Sequence, residues 1–259
     1  MTIRYAGRPP EERRNREVEA VQSQIWTTAV TVVFETDADV VAQVLPPPLS
    51  PAGEATARLR IATVDMGTGL KPFGAGWFGV RARHGNIDGE YALFMPMTTE
   101  QATIGGRETF GEPKKIADVS LVLDGERLSA SIERMGFRVA EVNGQLGEEL
   151  AGYERDKVDF YFKLSPSPDG VGLDTDPPLV HCHRHETARL VRAVEGELKL
   201  IDSPLDPIAD VPVGKILSME YAEISGTQRA EIVGRVPAES LLPFVHQRYD
   251  DLSVLGAQR

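Results

Sequence analysis

Residues 118–144 read DVSLVLDGERLSASIERMGFRVAEVNG, and strand patterns alternate with turn signals along this stretch. Asp124-Gly125 and Asn143-Gly144 are dipeptides that favour tight two-residue hairpin turns. The stretch therefore predicts consecutive antiparallel hairpins. The predicted strands are residues 119–123, 127–134 and 137–142.

Further strand patterns flank this stretch on both sides. Residues 28–35 (TAVTVVFE) are mostly β-branched and apolar, and residues 57–64 (ARLRIATV) alternate in the manner of a half-buried strand. Many short strands with few helical patterns predict a mainly β (α+β) fold, an antiparallel barrel or double sheet with a few peripheral helices. The other predicted strands are residues 91–97, 158–164, 179–186, 190–200 and 216–224.

Three short helices are predicted at the periphery. Asp37 is a candidate N-cap for a helix that the prolines at residues 46–48 end. Thr98 and Gln101 have the spacing of a capping box, and the glycines at residues 105–106 would end that helix. The last predicted helix covers residues 238–250.

The composition narrows the class of protein. The chain has 259 residues, with 28 Lys and Arg against 39 Asp and Glu, a formal charge of −11. An acidic chain is a poor candidate for nucleic-acid binding, because neutralising phosphates needs a basic face. One cysteine, Cys182, fits a reducing compartment, so we expect a cytoplasmic protein with no membrane partner. We expect residues 1–21 to form a polar arm and residues 22–259 a single domain.

The stretch whose residues could most clearly take part in catalysis is residues 106–116, GRETFGEPKKI. Pro113 fixes its own φ and favours extended geometry at Glu112, which sets the direction in which Lys114 leaves the backbone. Neighbouring residues on an extended segment point to opposite faces, so Lys114 and Lys115 should not enter the same pocket. Without further context, a Lys-Lys pair is more often two solvated surface charges.

The pattern GRE-x-x-x-x-PKK, which follows Gly89-Glu90-Tyr91, resembles the acetoacetate decarboxylase family. The resemblance extends more weakly over residues 22–250. It implies that Lys114 is the Schiff-base lysine and that the substrate is a small oxo acid. It also implies that no cofactor or metal is needed and that the protein is a homo-oligomer.

A Schiff-base lysine needs a neutral amine, and the required change in pKa can be sized. A free lysine has a pKa near 10.4, so only about one in 2,500 is neutral at pH 7. Lowering the pKa by about three units makes roughly a third neutral. Acetoacetate decarboxylase itself is the standard example of a lysine activated in this way, by an apolar pocket or a neighbouring cation. The candidate apolar wall residues are Trp77, Phe78, Phe94, Met95, Met97 and Phe110.

The sequence departs from the family at the positions of three active-site residues. The family's arginine aligns with Thr27, and its two glutamates align with Arg60 and near Ala75. Arg60 is therefore a candidate anion anchor. Lys115 would tune the charge environment of Lys114, and Glu112 or Glu108 would transfer protons.

These departures leave several functions open. Decarboxylation of a β-keto acid larger than acetoacetate is the leading prediction, and aldol cleavage or dehydration of an oxo acid through the same iminium is the alternative. A barrel that binds a small ligand without catalysis is a further possibility. His181, His183 and His185 alternate on a predicted strand and would share one face, where they could bind zinc, although a packed or solvated polar face is more usual.

Overall fold

Twelve strands make up most of the part of the chain that the computed structural model describes, residues 3–7, 26–67 and 71–255. This confirms the mainly β prediction. No helix within these ranges is long and apolar enough to cross a membrane. The strands are β1 Trp26–Glu35, β2 Ser50–Pro51, β3 Thr56–Asp65, β4 Phe73–His84, β5 Ile87–Met97, β6 Lys114–Ile116, β7 Asp118–Asp124, β8 Arg127–Arg134, β9 Phe137–Glu149, β10 Tyr153–Phe162, β11 Pro178–Leu200 and β12 Ile216–Arg235. The helices are α1 Ala38–Val44, α2 Glu100–Phe110 and α3 Ala238–Leu241, with 3-10 turns at Ile208–Asp210, Leu242–Gln247 and Leu252–Leu255.

Seven of the described strands close into a barrel. Their order is β10-β5-β4-β3-β1-β12-β11, and pairing of β11 with β10 closes the ring. Every pair in the ring is antiparallel except β5 with β10, so the barrel is mixed rather than purely antiparallel. A closed ring has no free edge strand, although β5 and β10 pair at only two positions, Glu90 with Asp159 and Tyr91 with Phe160.

A second layer covers the outside of the barrel. The far end of β11 leaves the ring to pair with β9, and β8 and β7 follow by antiparallel pairing. β7 packs against β3, β4 and β5, and the largest apolar core lies between the two layers. Where this layer packs on the barrel, the outer face of a strand lies against the layer and the inner face points into the lumen.

The alternating strand at residues 57–64 shows this double burial. Leu59 and Ile61 point outward into the main core, whereas Arg58 and Arg60 line a cavity inside the barrel. The prediction of a half-buried strand was therefore wrong about the second face. Arg58 and Arg60 face the lumen rather than bulk solvent.

Two helix predictions need correction. α1 begins after Asp37 as predicted, because the Asp37 carboxylate accepts hydrogen bonds from the backbone N–H groups of the first turn. α2 is capped by Thr99 rather than Thr98 and continues through residues 105–106. It ends where Gly111 takes up a left-handed conformation with φ 80°, which side chains with a Cβ disfavour. The predicted helix over residues 238–250 is one α-turn followed by a 3-10 helix, because Pro243 has no N–H for the next α-helical bond.

Two strand boundaries also differ from the predictions. Residues 179–200 form one strand with a bulge, where Leu190 has a φ of 50°. Asn143-Gly144 is not a turn, since β9 continues through both residues. Gly144 pairs with Leu128 on one side and Gly196 on the other, so two neighbouring strands hold this segment extended. The predicted polar arm at residues 1–21 lies largely outside the described residues.

The close approach of β9 to β11 makes Gly144 a structural requirement. A Cβ on Gly144 would lie 2.6 Å from Val194 Cγ1 and 2.8 Å from the Glu195 carbonyl oxygen. We expect Gly144→Ala to lower the free energy of unfolding by about 1–3 kcal/mol, because neither strand can move aside cheaply. Gly147→Ala on the same strand is the matched control, since its Cβ would meet nothing nearer than 3.5 Å. Urea denaturation of the two variants would contradict this account if both lost the same stability.

Candidate active site

A cavity of about 480 Å³ opens inside the barrel. Residues of all seven barrel strands, β1, β3, β4, β5, β10, β11 and β12, form its wall, and residues of α2 and β6 also line it. Thr27, Arg60 and Ala75, which the sequence resemblance predicts to stand at or near the positions of the family's arginine and glutamates, all line this cavity. The sequence departures therefore fall in the wall of the cavity rather than at the periphery.

Lys114 enters the cavity from the short strand β6. β6 adds to β5 in parallel, with Met95 beside Lys114 and Pro96 beside Lys115. The side chain of Lys114 is 5% exposed, and its Nζ lies 2.7 Å from Oε2 of Glu112. The two predicted candidates Lys114 and Glu112 therefore meet at the cavity wall.

Helix α2 passes directly over this ion pair, and Gly106 makes the passage possible. A Cβ on Gly106 would lie 2.6 Å from Lys114 Nζ and closer still to the Glu112 carboxylate. The sequence predicted that this glycine would help to end the helix, and that prediction was wrong. The glycine instead leaves room for the amine and the carboxylate beneath it.

Two arginines hold the backbone on either side of Pro113. Arg248 is buried and donates hydrogen bonds to the carbonyl oxygens of Gly111 at 2.7 Å and Glu112 at 3.1 Å. Arg107 donates to the carbonyl oxygen of Lys114 at 2.8 Å. These bonds tie the backbone carbonyl groups beyond the helix end to two arginine side chains, and they fix the segment that carries Lys114.

Lys115 leaves the strand on the other face and does not line the cavity. Its Nζ lies 2.8 Å from Asp206 and 2.9 Å from Asp250, and Arg134 contacts the same two carboxylates. This cluster ties β6 to the C-terminal segment. The structure confirms that the adjacent side chains of Lys114 and Lys115 point to opposite faces of the extended segment. Lys115 belongs to an ion cluster outside the cavity.

Glu112 connects Lys114 to a second layer of charge. Its other carboxylate oxygen accepts a hydrogen bond from Arg184 Nη2 at 3.1 Å. Arg184 also forms an ion pair of 2.5 Å with Asp159. Burial raises the pKa of Asp159, but Lys157 and Arg184 outweigh it and hold that pKa below its usual range.

Arg60 lies in the cavity wall, where the sequence placed a candidate anion anchor. Its guanidinium donates two hydrogen bonds to Glu186, at 2.8 and 3.3 Å, and a third to Thr31. Burial raises the pKa of Glu186, but Arg60 and Lys157 more than offset it and keep that pKa well below its usual range. Arg60 is thus already bound to a carboxylate of the protein.

Lys157 is the cavity residue that sequence reasoning missed most clearly. Its Nζ lies 3.3 Å from Glu186 and 5.7 Å from the centre of the Trp77 ring. Burial and the charge of Arg58 together lower the pKa of Lys157 to about 8, although Asp159, Glu186 and Glu90 raise it. The available signal was the placing of Lys157 and Asp159 at alternate positions around the start of a predicted strand, immediately before the apolar residues 160–162. Arg184 and Glu186 carry the same signal on β11.

The apolar candidates divide between the two faces of their strands. Trp77 and Met97 line the cavity, as does Met95. Phe78 and Phe94 are the immediate neighbours of lining residues, so they point outward into the main core and do not reach the cavity. Phe110 packs in the same cluster as Trp77, and Glu108 is exposed on α2 outside the cavity.

The alternating histidines have separate partners. His181 contacts His84 at 2.9 Å, His183 contacts Glu231 at 3.1 Å, and His185 lies 2.9 Å from Asp156. Within the described ranges, no group of three or more His, Cys, Asp or Glu side chains is arranged to hold a metal ion.

The fold and the site define a class of β-barrel whose small-molecule cavity carries a buried lysine. The family model described as Acetoacetate decarboxylase (ADC) matches residues 8–235. The chain therefore belongs to the acetoacetate decarboxylase family, which confirms the resemblance seen in the sequence.

Relatives and solved structures agree with this assignment. The acetoacetate decarboxylase of Clostridium acetobutylicum is 26% identical over 210 residues, which are 78% of this chain and 84% of the relative. A solved structure described as "Structural Studies of Acetoacetate Decarboxylase" has a TM-score of 0.72 at 20% identity and covers 87% of this chain and 96% of that one. The enduracididine biosynthesis enzyme MppR, solved with the condensation product of pyruvate and imidazole 4-carboxaldehyde, has a TM-score of 0.66 at 15% identity and covers 80% and 87%. At these identities, the solved structures show a shared fold.

The room left by Gly106 yields a test of the site geometry. We expect Gly106→Ala to displace the Lys114 amine and the Glu112 carboxylate, because the added methyl group occupies their space. The rate at which a small aldehyde and cyanoborohydride alkylate Lys114, read by peptide mass mapping, should change at least severalfold. Glu108→Ala, an exposed change on the same helix, should leave that rate as in the wild type. Equal rates in the two variants would contradict the packing of α2 over Lys114.

Proposed function

We propose that the protein is a lyase that forms a Schiff base through Lys114, and that it decarboxylates a β-keto acid larger than acetoacetate. The observation that carries the proposal is the buried Lys114 Nζ at the cavity wall, 2.7 Å from Glu112. Membership of the acetoacetate decarboxylase family supports it independently.

The proposed reaction uses an iminium as the electron sink. The neutral Lys114 Nζ adds to the ketone carbon, and loss of water with uptake of one proton leaves a protonated C=N bond, the iminium. The C–C bond to the carboxylate then breaks, CO₂ leaves, and the electron pair of that bond forms an enamine. The enamine carbon takes up a proton, and water releases the ketone product and restores the amine.

Glu112 is the proposed proton carrier for these steps. Its carboxylate lies within hydrogen-bond reach of Lys114 Nζ, which is the geometric requirement for a general base. Its hydrogen bond from Arg184 fixes its orientation. Glu108, the other carboxylate considered from sequence, is exposed on α2 and does not line the cavity, which favours Glu112 for this role.

Two features support a substrate larger than acetoacetate. A cavity of about 480 Å³ falls in the range of pockets that enclose ligands of considerable size. Its apolar wall includes Trp77, Met95 and Met97, which would pack against a longer apolar substituent. Arg60 and Ala75 also replace the glutamates that characterised decarboxylases of the family carry.

Aldol cleavage or dehydration of an oxo acid is the second candidate. The same iminium would serve, because it withdraws electrons from the neighbouring carbon whichever bond breaks. The fold is shared with MppR, whose structure holds a condensation product of pyruvate, and this similarity favours the alternative.

Reductive trapping tests whether Lys114 forms the adduct. We expect borohydride with a methyl ketone to leave a reduced adduct on the peptide that contains Lys114, and Lys114→Met to abolish both the adduct and any release of CO₂ from β-keto acids. Lys199→Met, an exposed lysine on β11, is the control and should keep both.

Three outcomes separate the candidates. An adduct with CO₂ release supports decarboxylation, and an adduct with carbon–carbon cleavage but no CO₂ supports the aldol alternative. Tight binding of an apolar carboxylic acid with no adduct at Lys114 would leave only a binding barrel and would refute the proposed enzyme.

A further inference from the structure

Among the described residues, each arginine that lines the cavity is bound to a carboxylate of the protein. These pairs are buried or partly buried, and each arginine lies within 3 Å of an oxygen of its partner. A guanidinium held in this way has less capacity for a ligand, because its fork of N–H groups is already occupied. The pairs are Arg58 with Glu90, Arg60 with Glu186, and Arg184 with Asp159.

Lys157 lines the same cavity, and it is not a member of any of these three arginine pairs. Its Nζ lies 3.3 Å from Glu186 and 3.9 Å from both Glu90 and Asp159. These distances exceed the roughly 2.7–2.9 Å of a charge-assisted N–H···O bond. Each of the three carboxylates is also paired with an arginine. Lys157 therefore has no carboxylate that pairs with it alone.

We infer that Lys157, rather than Arg60, binds the carboxylate of the substrate and so selects for oxo acids over neutral ketones. The inference rests on the proposed function, since it assumes that the ketone carbon of the same molecule reaches Lys114. Lys157 and Lys114 line one cavity, and they are linked through Asp159, Arg184 and Glu112.

The wall beside Lys157 has further capacity for an anion. Trp77 is buried, its ring lies 5.7 Å from Lys157 Nζ, and Arg58 stacks 4.0 Å from the ring centre. The indole Nε1 of Trp77 has no hydrogen-bond partner among the described residues. A buried donor of this kind is costly to leave unpaired, and an oxygen of a bound ligand would satisfy it.

The ionisation of Lys157 gives the inference a pH signature. The charged groups that face its ammonium are Arg58 from β3, Glu90 from β5, Asp159 from its own strand and Glu186 from β11. Burial and Arg58 lower the pKa of Lys157 to about 8, although the three carboxylates raise it. The ammonium is present below that pH and is lost above it, so carboxylate binding should weaken as the pH rises through 8.

A pair of matched probes isolates the carboxylate. 4-Oxopentanoate and 2-pentanone both offer a methyl ketone to Lys114, but only the first has a carboxylate, and it has no β-keto group to decarboxylate. Cyanoborohydride trapping at Lys114 gives the half-saturating concentration of each probe. The ratio of the two concentrations reports carboxylate recognition, because the ionisation of Lys114 affects both probes alike.

We expect the wild-type protein to prefer 4-oxopentanoate at pH 7 and to lose about tenfold of that preference by pH 9, as a pKa near 8 requires. Lys157→Met keeps the apolar stem against Trp77 and should bring the ratio close to one, whereas Lys157→Arg and the surface control Lys199→Met should keep the preference. A preference that survives in Lys157→Met, or that is flat from pH 7 to 9 in the wild type, overturns the inference. The wild-type pH series decides the matter even if Lys157→Met does not fold. Failure of both probes to label Lys114 in the wild type would instead refute the proposed function.

Discussion

The contact between Lys114 and Glu112 beneath helix α2 is the constraint on which the rest of the site depends. An amine and a carboxylate can lie this deep only if each is paired, because an isolated buried charge is very costly. Gly106 provides the space for the pair, and Arg107 and Arg248 hold the backbone that delivers it. The helix end, the short strand β6 and the C-terminal segment therefore serve one local geometry.

The barrel makes this geometry possible by burying charge on its inner face. Its outer face packs against a second sheet and has an ordinary apolar core, whereas its lumen holds arginines, lysines and carboxylates in pairs. Replacing such pairs with apolar residues would often stabilise a protein, so their presence favours a role in ligand binding over one in stability. In an acidic protein, a cavity wall rich in cations also provides a local attraction for an anionic substrate that the surface as a whole does not.

Local sequence rules succeeded where local interactions decide the structure. The Asp37 cap and the separation of Lys114 from Lys115 follow from neighbouring residues alone, and both were predicted. The Asn143-Gly144 dipeptide failed as a turn signal because pairing on both sides of β9 outweighs its local preference. The glycines at residues 105–106 failed as a helix stop for a related reason, since packing of α2 on the Lys114 segment keeps the helix intact.

The sequence by itself determined the mainly β class, the family and the identity of Lys114 as the leading candidate, because each depends on composition, alternation or a short motif. Tertiary structure alone decided which face of each strand lines the cavity. Alternation with a period of two separates two faces but does not say which one turns inward, so it did not show that Arg60 and Lys157 face the lumen rather than solvent. The pairing of Arg60 with Glu186 joins residues 126 positions apart, and only closure of the barrel brings them together.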